Sequence, residues 1–315
     1  MFMKVLFTYN YGKEKIKAIE DLGYEVIIKD EKTITYNEEL DDVEILVCYN
    51  PFETLDIMKM KGLKLILLSS IGIDQVPRDI IKEKNIILCN NKGGYSIPIG
   101  EWIVLKILEM LKKSKDSYEN QRLHKWKMDT SLLELYGKTV TFIGTGSLAK
   151  EGAKRLQGFE ANILGINTSG HEEEYFHKCY SIDELERVLH TSDVVVITIP
   201  YTEKTHHLIN KDTINKMKDG VFLVNVARGS IIDESSLTEA LKTGKIAFAA
   251  LDVFEEEPLN ENSILWELEN VIINSHNSWI SEMRNERRFT TVYKNLSHYK
   301  NNENLFNVVD LNKGY

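Results

Sequence analysis

The chain has 315 residues, and at roughly 150 residues per domain this length suggests two domains. Hydrophobic residues make up 43% and charged residues 28%, a composition typical of globular proteins that need no disulfide or metal to hold a core. The 39 basic and 48 acidic residues give a net charge of -9, which argues against general binding of nucleic acids or anionic membranes.

Targeting signals and metal ligands are not evident in the sequence. The longest uncharged apolar runs, such as residues 65–73, are far shorter than the roughly 20 residues of a membrane span. The N-terminal residues enter a strand-like run and lack the layout of a signal peptide. Cys48, Cys89 and Cys179 form no CxxC pair. We therefore expect a cytoplasmic protein with reduced thiols and no metal.

Short apolar runs alternate with amphipathic stretches, which predicts an α/β protein with parallel sheets. The first series of predicted elements comprises strands at 5–9, 25–28, 45–47, 65–68 and 86–88 and helices at 13–22, 52–60 and 78–84. Two glycines and a proline in residues 93–98 end this series. We place the domain boundary there.

The second series opens with a helix at 99–112 and a polar excursion at 113–136. Its predicted strands are 139–143, 162–166, 194–199, 221–225, 246–251 and 271–273. A final helix at 281–300 returns to the first domain. The expected domains are therefore 1–97 completed by 281–315, and 98–280.

A glycine-rich turn follows directly after the strand at 139–143 and has the form GxGxxA. In such a turn Gly144 permits the tight bend, Gly146 lets the backbone approach a pyrophosphate at a helix N-terminus, and Ala149 allows close packing. The expected cofactor contacts in the turn are Gly144, Gly146, Ser147, Leu148 and Ala149. The turn predicts a doubly wound Rossmann sheet over 98–280, with a plain strand-to-helix connection as the alternative.

The second strand of this domain ends at Asn167, 23 residues after Gly144, where a carboxylate would bind the adenine ribose. A carboxylate would repel a 2′-phosphate, whereas the side chains of Asn167, Thr168 and Ser169 can donate hydrogen bonds to it. No arginine is nearby. The expected cofactor is NAD(P), with a slight tilt toward NADP.

Three later segments complete a pattern: VNVARGSIID at 224–233, LDVFEEEPL at 251–259 and NVIINSH at 270–276. With the LxGKT run at 135–139, they resemble the D-isomer-specific 2-hydroxyacid dehydrogenases. The spacings of 29 residues from Arg228 to Glu257 and 19 from Glu257 to His276 fit the arginine, glutamate and histidine of that family.

The resemblance implies a role for each of these residues. His276 exchanges a proton with the substrate oxygen, as a group with an ordinary pKa near 6.5 can. Glu257 holds the other ring nitrogen, and Arg228 grips the substrate carboxylate. Backbone amides of Ser70, Ile71 and Gly72 also hold that carboxylate. Further expected cofactor contacts are Pro200, Thr205, Ala227 and Asp252. Taken singly, each of the three could have a purely structural role. Arg228 could cap a strand, Glu257 could be one charge of an acidic loop, and His276 could be a hydrogen-bonded structural histidine.

The sequence departs from the family beside the histidine. The usual Pro-His-Ile-Gly-Gly is replaced by SHNSW at 275–279, so Trp279 is expected to narrow the pocket. Outside the pattern, we interpret four histidines as solvated loop residues: His171, His177, His206 and His207.

The resemblance implies a Rossmann domain beside a second, flavodoxin-like α/β substrate domain, and hydride transfer between NAD(P)H and a 2-keto acid or D-2-hydroxy acid. It also implies a homodimer formed through the Rossmann domain, with 113–136 as candidate interface. Two alternatives remain open: an NAD(P)H-sensing, corepressor-like binding protein, and a dehydrogenase of formate or phosphite on the same scaffold.

Overall fold

The structure is a computed structural model that describes residues 3–314. The chain divides into two compact units. The first takes the chain up to Tyr95 and again from Ser281 onward, and the second is Ser96–Ile280. Within the described residues, no helix is long and apolar enough to cross a bilayer.

The described part of the first unit is built on a five-stranded parallel sheet. Its strands are β1 Met3–Phe7, β2 Tyr24–Ile28, β3 Val43–Cys48, β4 Leu65–Leu68 and β5 Ile87–Cys89. Their order, β2-β1-β3-β4-β5, is that of flavodoxin-like folds. The interior strand β4, with the sequence LILL, is fully buried, as expected of a parallel strand that is covered on both faces.

The second unit is built on a seven-stranded parallel sheet. Its strands are β6 Thr139–Ile143, β7 Asn162–Asn167, β8 Lys178–Ser181, β9 Val194–Ile197, β10 Val221–Asn225, β11 Ile246–Leu251 and β12 Val271–Ile273. The strand order is β12-β11-β10-β9-β6-β7-β8. From β6 the chain first adds strands on one side of the sheet and then crosses to add β9 on the other side, as in a Rossmann sheet. In such sheets, ligands bind beyond the carboxyl ends of the strands at this point.

Helices flank both sheets. They are α1 Lys13–Asp21, α2 Arg78–Glu83, α3 Ser96–Leu111, α4 Ser114–Arg122, α5 Ser147–Leu156, α6 Leu185–Leu189, α7 Lys211–Lys216, α8 Glu234–Thr243 and α9 Arg284–Lys300. Helix α9 belongs to the first unit, where Val292 and Leu296 share a core with Val5 and Phe7.

The predicted α/β class with two parallel sheets is confirmed. The predicted helix at 52–60 is wrong, because local hydrogen bonds favour turns there. Asp56 Oδ1 accepts from the Met58 amide at 3.1 Å, and Lys84 Nζ donates to the carbonyls of Ile57, Met58 and Met60. The short edge strand β8 and the helices α4, α6, α7 and α8 were not predicted.

Candidate active site and cofactor-binding turn

The two glycines of the turn after β6 have different structural requirements. Gly144 has φ +98°, and a Cβ there would lie 2.9 Å from Ile199 Cγ2, so the fold itself needs glycine at this position. Gly146 has φ -73°, and no described atom lies within 4 Å of the place a Cβ would take. The fold does not explain the glycine at 146.

Helix α5 begins at Ser147, directly after this turn. No side chain caps its N-terminus, and its first turn carries no acidic residue. Its first backbone N–H groups therefore point outward without an intrahelical acceptor and favour an anion. Ala149, in the first turn of α5, is fully buried. The expected phosphate-binding residues thus form a helix start that fits the pyrophosphate of a dinucleotide.

The side chain of Asn167, at the end of β7, closes a tight loop. Its Nδ2 donates to Thr145 Oγ1 at 3.2 Å and to the His171 carbonyl at 2.8 Å. Its Oδ1 accepts from the amides of Ser169 and Gly170, at 3.2 and 2.7 Å. The amide donors of Asn167 therefore have protein partners, whereas the neighbouring Thr168 and Ser169 are exposed.

An ion pair between Lys150 and Glu173 links this loop to helix α5. Lys150 Nζ lies 2.5 Å from Glu173 Oε2, and His171 Nε2 lies 3.4 Å from Glu173 Oε1. These contacts hold the pKa of Glu173 below its ordinary value. His171 also shares a hydrogen bond of 2.9 Å with Ser169 Oγ, so it is not simply a solvated residue.

The loop after β9 closes on itself through Thr205. Its hydroxyl donates to the Pro200 carbonyl at 2.9 Å and accepts from the Thr202 amide at 2.7 Å. Pro200 and Thr205, both expected to contact the cofactor, therefore belong to one ordered loop. Their contact with a cofactor stays a prediction.

Arg228 follows β10 in a turn that the buried side-chain amide of Asn225 stabilises. Asn225 is fully buried, and its side chain accepts from the Ala227 amide and donates to the Arg228 carbonyl, both at 3.0 Å. The Arg228 guanidinium donates to the Ala227 carbonyl at 2.7 Å. This role of Asn225 was not predicted, although an asparagine at the end of an apolar strand is a recognisable signal.

The turn that carries Arg228 packs against the loop that carries Glu257. A Cβ on Gly229 would overlap the backbone of Phe254 and Glu255, so only glycine fits there. His207 also joins the two segments, because its amide donates to the Ser230 carbonyl at 2.9 Å and its Nε2 lies 2.8 Å from Glu255 Oε1. His207 is therefore partly buried and bonded to Glu255, and is not the solvated residue that was predicted.

His276 and Glu257 form a direct pair, with Nδ1 and Oε2 2.7 Å apart. The other carboxylate oxygen of Glu257 accepts from the Phe254 amide at 3.0 Å. Burial acts to raise the pKa of Glu257, but His276, the Phe254 N–H and the charge of Arg228 together hold it below its ordinary value. Glu257 is thus paired directly with His276 and interacts electrostatically with Arg228.

Asp252 anchors the loop that carries His276. It is 1% exposed, its carbonyl accepts from the His276 amide at 2.8 Å, and its carboxylate accepts from the Asn277 amide at 3.0 Å. The carboxylate also accepts from Asn274 Nδ2 and from the Ser278 hydroxyl. Ser278 stands where the family has glycine, and it adds a bond to this anchor. The expected contact of Asp252 with the nicotinamide stays a prediction.

Trp279 lies beside the histidine. Its indole Nε1 donates to the His276 carbonyl at 2.8 Å. This bond adds a second constraint on the left-handed backbone of His276, which has φ +49°.

The remaining predicted substrate residues lie in the first unit, on the loop after β4. Ser70 Oγ donates to the Gly72 carbonyl at 2.8 Å, and Asn90 Nδ2 donates to the Ile71 carbonyl at 2.9 Å. The backbone N–H groups of Ile71 and Gly72 donate to no described residue. These two amides are therefore available to an acceptor.

The three cysteines are free and buried. Among residues 3–314, no group of three or more His, Cys, Asp or Glu side chains could hold a metal ion.

The sequence model described as "D-isomer specific 2-hydroxyacid dehydrogenase, NAD binding domain" matches residues 104–278. The chain belongs to the D-isomer-specific 2-hydroxyacid dehydrogenase family. The family resemblance seen in the sequence is confirmed. The second unit carries the NAD-binding domain of this family.

Individual relatives agree with this membership. The chain is 33% identical to the D-3-phosphoglycerate dehydrogenase of Archaeoglobus fulgidus over 281 residues, 87% of this chain and 53% of that protein. It is 34% identical to the hydroxypyruvate reductase of Thermotoga maritima over 242 residues, 75% of this chain and 78% of that protein. The chain therefore spans only about half the length of the archaeal relative.

A solved structure has the same fold. It is a D-isomer specific 2-hydroxyacid dehydrogenase from Xanthobacter autotrophicus in complex with NADPH and MES. The two chains are 22% identical, each is covered completely, and the TM-score is 0.84.

Proposed function

We propose that the protein is an NAD(P)H-dependent oxidoreductase that interconverts 2-keto acids and D-2-hydroxy acids. The observation that carries this proposal is the 2.7 Å pair of His276 and Glu257, whose carboxylate also feels the positive charge of Arg228. Proton transfer needs a group that both holds and releases a proton, and a paired imidazole is such a group. Family membership and the turn after β6 support the cofactor.

The orientation of His276 leaves one ring nitrogen for the substrate. Nδ1 faces Glu257, and Nε2 makes no hydrogen bond to any described residue. In the direction of reduction, Nε2 gives its proton to the carbonyl oxygen of the 2-keto acid while the ionised Glu257 stabilises the imidazolium. When bound, a reduced nicotinamide supplies the hydride that reaches the same carbonyl carbon. Arg228 would orient the substrate carboxylate with its planar guanidinium.

The residues present fit a dinucleotide. Gly146 leaves open space in front of the uncapped start of α5, where a pyrophosphate is held in Rossmann domains. The lack of a carboxylate at Asn167 supports acceptance of NADPH as well as NADH. The NADPH bound to the Xanthobacter protein agrees with this proposal.

A substrate panel tests the function. We expect oxidation of NADH or NADPH by at least one of glyoxylate, pyruvate, hydroxypyruvate or 2-oxoglutarate. The variant His276→Ala should lower kcat by roughly 10²- to 10⁴-fold, the scale of losing a general acid. The control is His298→Ala, which removes another histidine close to a glutamate, Glu303 at 3.4 Å, and should leave kcat unchanged.

Two outcomes would contradict this function. Cofactor binding without turnover of any keto acid would favour a cofactor-sensing binding protein. Reduction of NAD(P) by formate or phosphite alone would favour the other dehydrogenase reaction.

We also propose that the protein acts as a homodimer in the cytoplasm, where its three free cysteines would stay reduced. The segment 113–136 exposes Trp126 completely and Met128 at 84%. Exposed apolar side chains of this size are typical of surfaces that another chain covers. Sedimentation of the wild type should give a dimer, and the double substitution Trp126→Ser with Met128→Ser should give a monomer. A monomeric wild type would contradict this proposal.

A further inference from the structure

The loop between β7 and β8 runs along one face of helix α5. Glu173 contacts Lys150 near the start of the helix. Two residues later, Tyr175 meets the following turns, because Lys154 Nζ lies 5.9 Å from its ring centre and Gln157 Nε2 donates to its carbonyl at 2.8 Å. Residues spaced in this way share one face of a helix. The loop therefore follows α5 from its start toward its end, and Glu173 lies at the end where the pyrophosphate is expected.

Three consecutive glutamates of this loop differ in their surroundings. Glu172 and Glu174 are exposed, whereas the side chain of Glu173 is 25% exposed. One carboxylate oxygen of Glu173 lies 2.5 Å from Lys150 Nζ, and the other lies 3.4 Å from His171 Nε2. These contacts lower the pKa of Glu173, so the carboxylate is ionised at neutral pH and offsets the charge of Lys150.

The same side chains are connected to the expected ribose position. Strand β7 ends at Asn167, where Rossmann domains bind the 2′ position of the adenine ribose, and the exposed Ser169 follows two residues later. Ser169 Oγ shares a hydrogen bond of 2.9 Å with His171 Nδ1, and the opposite ring nitrogen of His171 faces Glu173. A single imidazole therefore connects the ribose loop to the ion pair of Glu173 with Lys150.

We propose that Glu173 sets the cofactor selectivity of this protein by neutralising Lys150, the cation of α5 available to a 2′-phosphate. An ammonium group forms charge-assisted hydrogen bonds with a phosphate. While Glu173 holds this ammonium, the two charges offset each other, and the carboxylate itself repels the phosphate of NADPH. NADH has a hydroxyl at the same place and is insensitive to the pair. The proposal rests on the cofactor part of the proposed function and does not depend on the reaction with keto acids.

The binding test removes one charge at a time. Fluorescence titration gives Kd for NADPH and NADH with the wild type and with Glu173→Gln. We expect Kd for NADPH to fall roughly tenfold, the low end of a charged hydrogen bond because the pair is partly exposed, and Kd for NADH to stay the same. Adding Lys150→Met to Glu173→Gln should abolish this gain, whereas adding Lys150→Arg should keep it.

The matched control is Glu172→Gln. It removes the same charge from the same loop but leaves the ion pair of Glu173 with Lys150 intact. We expect it to change Kd for NADPH far less than Glu173→Gln does. The affinity for NADH reports whether each variant keeps its folded cofactor site, so a loss of folding is distinguished from a change of selectivity.

Cofactor fragments separate this proposal from the reaction itself. Adenosine 2′,5′-diphosphate and adenosine 5′-monophosphate differ only in the 2′-phosphate, and neither can transfer a hydride. In calorimetric titrations, Glu173→Gln should bind the diphosphate more tightly than the wild type does and the monophosphate equally. Such a result without turnover of any keto acid would contradict the proposed reaction but support the role of Glu173. An unchanged ratio of the NADPH and NADH affinities in Glu173→Gln, or an equal shift in Glu172→Gln, would overturn that role.

Discussion

One carboxylate oxygen of Glu257 is hydrogen-bonded to the His276 imidazole, and the other accepts a hydrogen bond from the Phe254 amide. The substitution Glu257→Gln keeps the shape but removes the charge that stabilises an imidazolium. We therefore expect the basic limb of the pH–rate profile for keto-acid reduction to move to lower pH. The measurement is kcat/KM between pH 5 and 9, and an unchanged basic limb would contradict the assigned role of Glu257.

At acidic pH, the titration of Glu257 itself decides how its contribution changes. Because the pKa of Glu257 lies below its ordinary value of 4.5, its carboxylate stays ionised at any pH above that value. Its contribution to stability is present above the pKa of the unfolded chain and is lost as pH falls through the lower folded value. In the wild type, losses of activity above pH 5 should therefore come from other groups.

Asn167 shows how one residue combines loop structure with cofactor choice. Asn167→Asp removes the two donations from Nδ2 and places a charged oxygen against the His171 carbonyl. We expect the free energy of unfolding to fall by about 1–3 kcal/mol and kcat/KM for NADPH to fall relative to NADH. Urea unfolding and both cofactors are measured, with Asn162→Asp as control, because its Nδ2 makes one exposed bond of 3.3 Å. Unaltered stability and cofactor preference would contradict this interpretation.

Some residues of the candidate site could be predicted from the sequence, and others could not. Arg228, Glu257 and His276 were expected from the resemblance to the family, whose spacing they fit, and the role of each stays a proposal. Asn225 and the anchoring role of Asp252 were missed, because they depend on hydrogen bonds between segments that meet only in the folded sheet. Both residues lie in the segments that carry the family resemblance, but the sequence of those segments does not identify the backbone groups that they bond.

At the scale of elements, the start of α5 offers a matched pair of substitutions. Gly146→Ala should leave the free energy of unfolding near that of the wild type, since no described atom opposes a Cβ there, but lower cofactor affinity at least tenfold. Gly144→Ala should lower the free energy of unfolding by roughly 1–3 kcal/mol, because its φ is +98°. Thermal unfolding and fluorescence titration with NADH and NADPH measure both. Full cofactor affinity in Gly146→Ala would mean that the turn is a plain connection.

Strands were easier to predict than the segments between them. The buried strands β6, β10, β11 and β12 begin and end where the apolar runs do, because burial on both faces leaves little room for polar residues. The edge strand β8 is short and has the sequence KCYS, so its pairing with β7 rather than its composition makes it a strand. The predicted helix at 52–60 does not form. The side chains of Asp56 and Lys84 bond to the backbone of this segment and compete with helical hydrogen bonds.

At the scale of the whole molecule, the expected cofactor contacts all belong to the second unit, Ser96–Ile280. Saturation with NADH or NADPH at 100 times Kd would stabilise that unit by about 2.7 kcal/mol. We expect slower amide hydrogen exchange in β6, α5 and β7 than without cofactor, and little change in β2 and α1 of the first unit. Mass spectrometry of peptic peptides measures both sets at once. Equal protection in the two units would contradict a site confined to the second.

The first unit is discontinuous in the chain, and this sets an order of events during synthesis. Its sheet is translated early, but α9, which supplies Val292 and Leu296 to the core around Val5 and Phe7, emerges only after all of Ser96–Ile280. At the usual pace of translation that intervening stretch takes about 10–40 seconds. During that interval the early sheet lacks one of its covers, so a ribosome-bound chain should expose apolar surface to chaperones until α9 arrives.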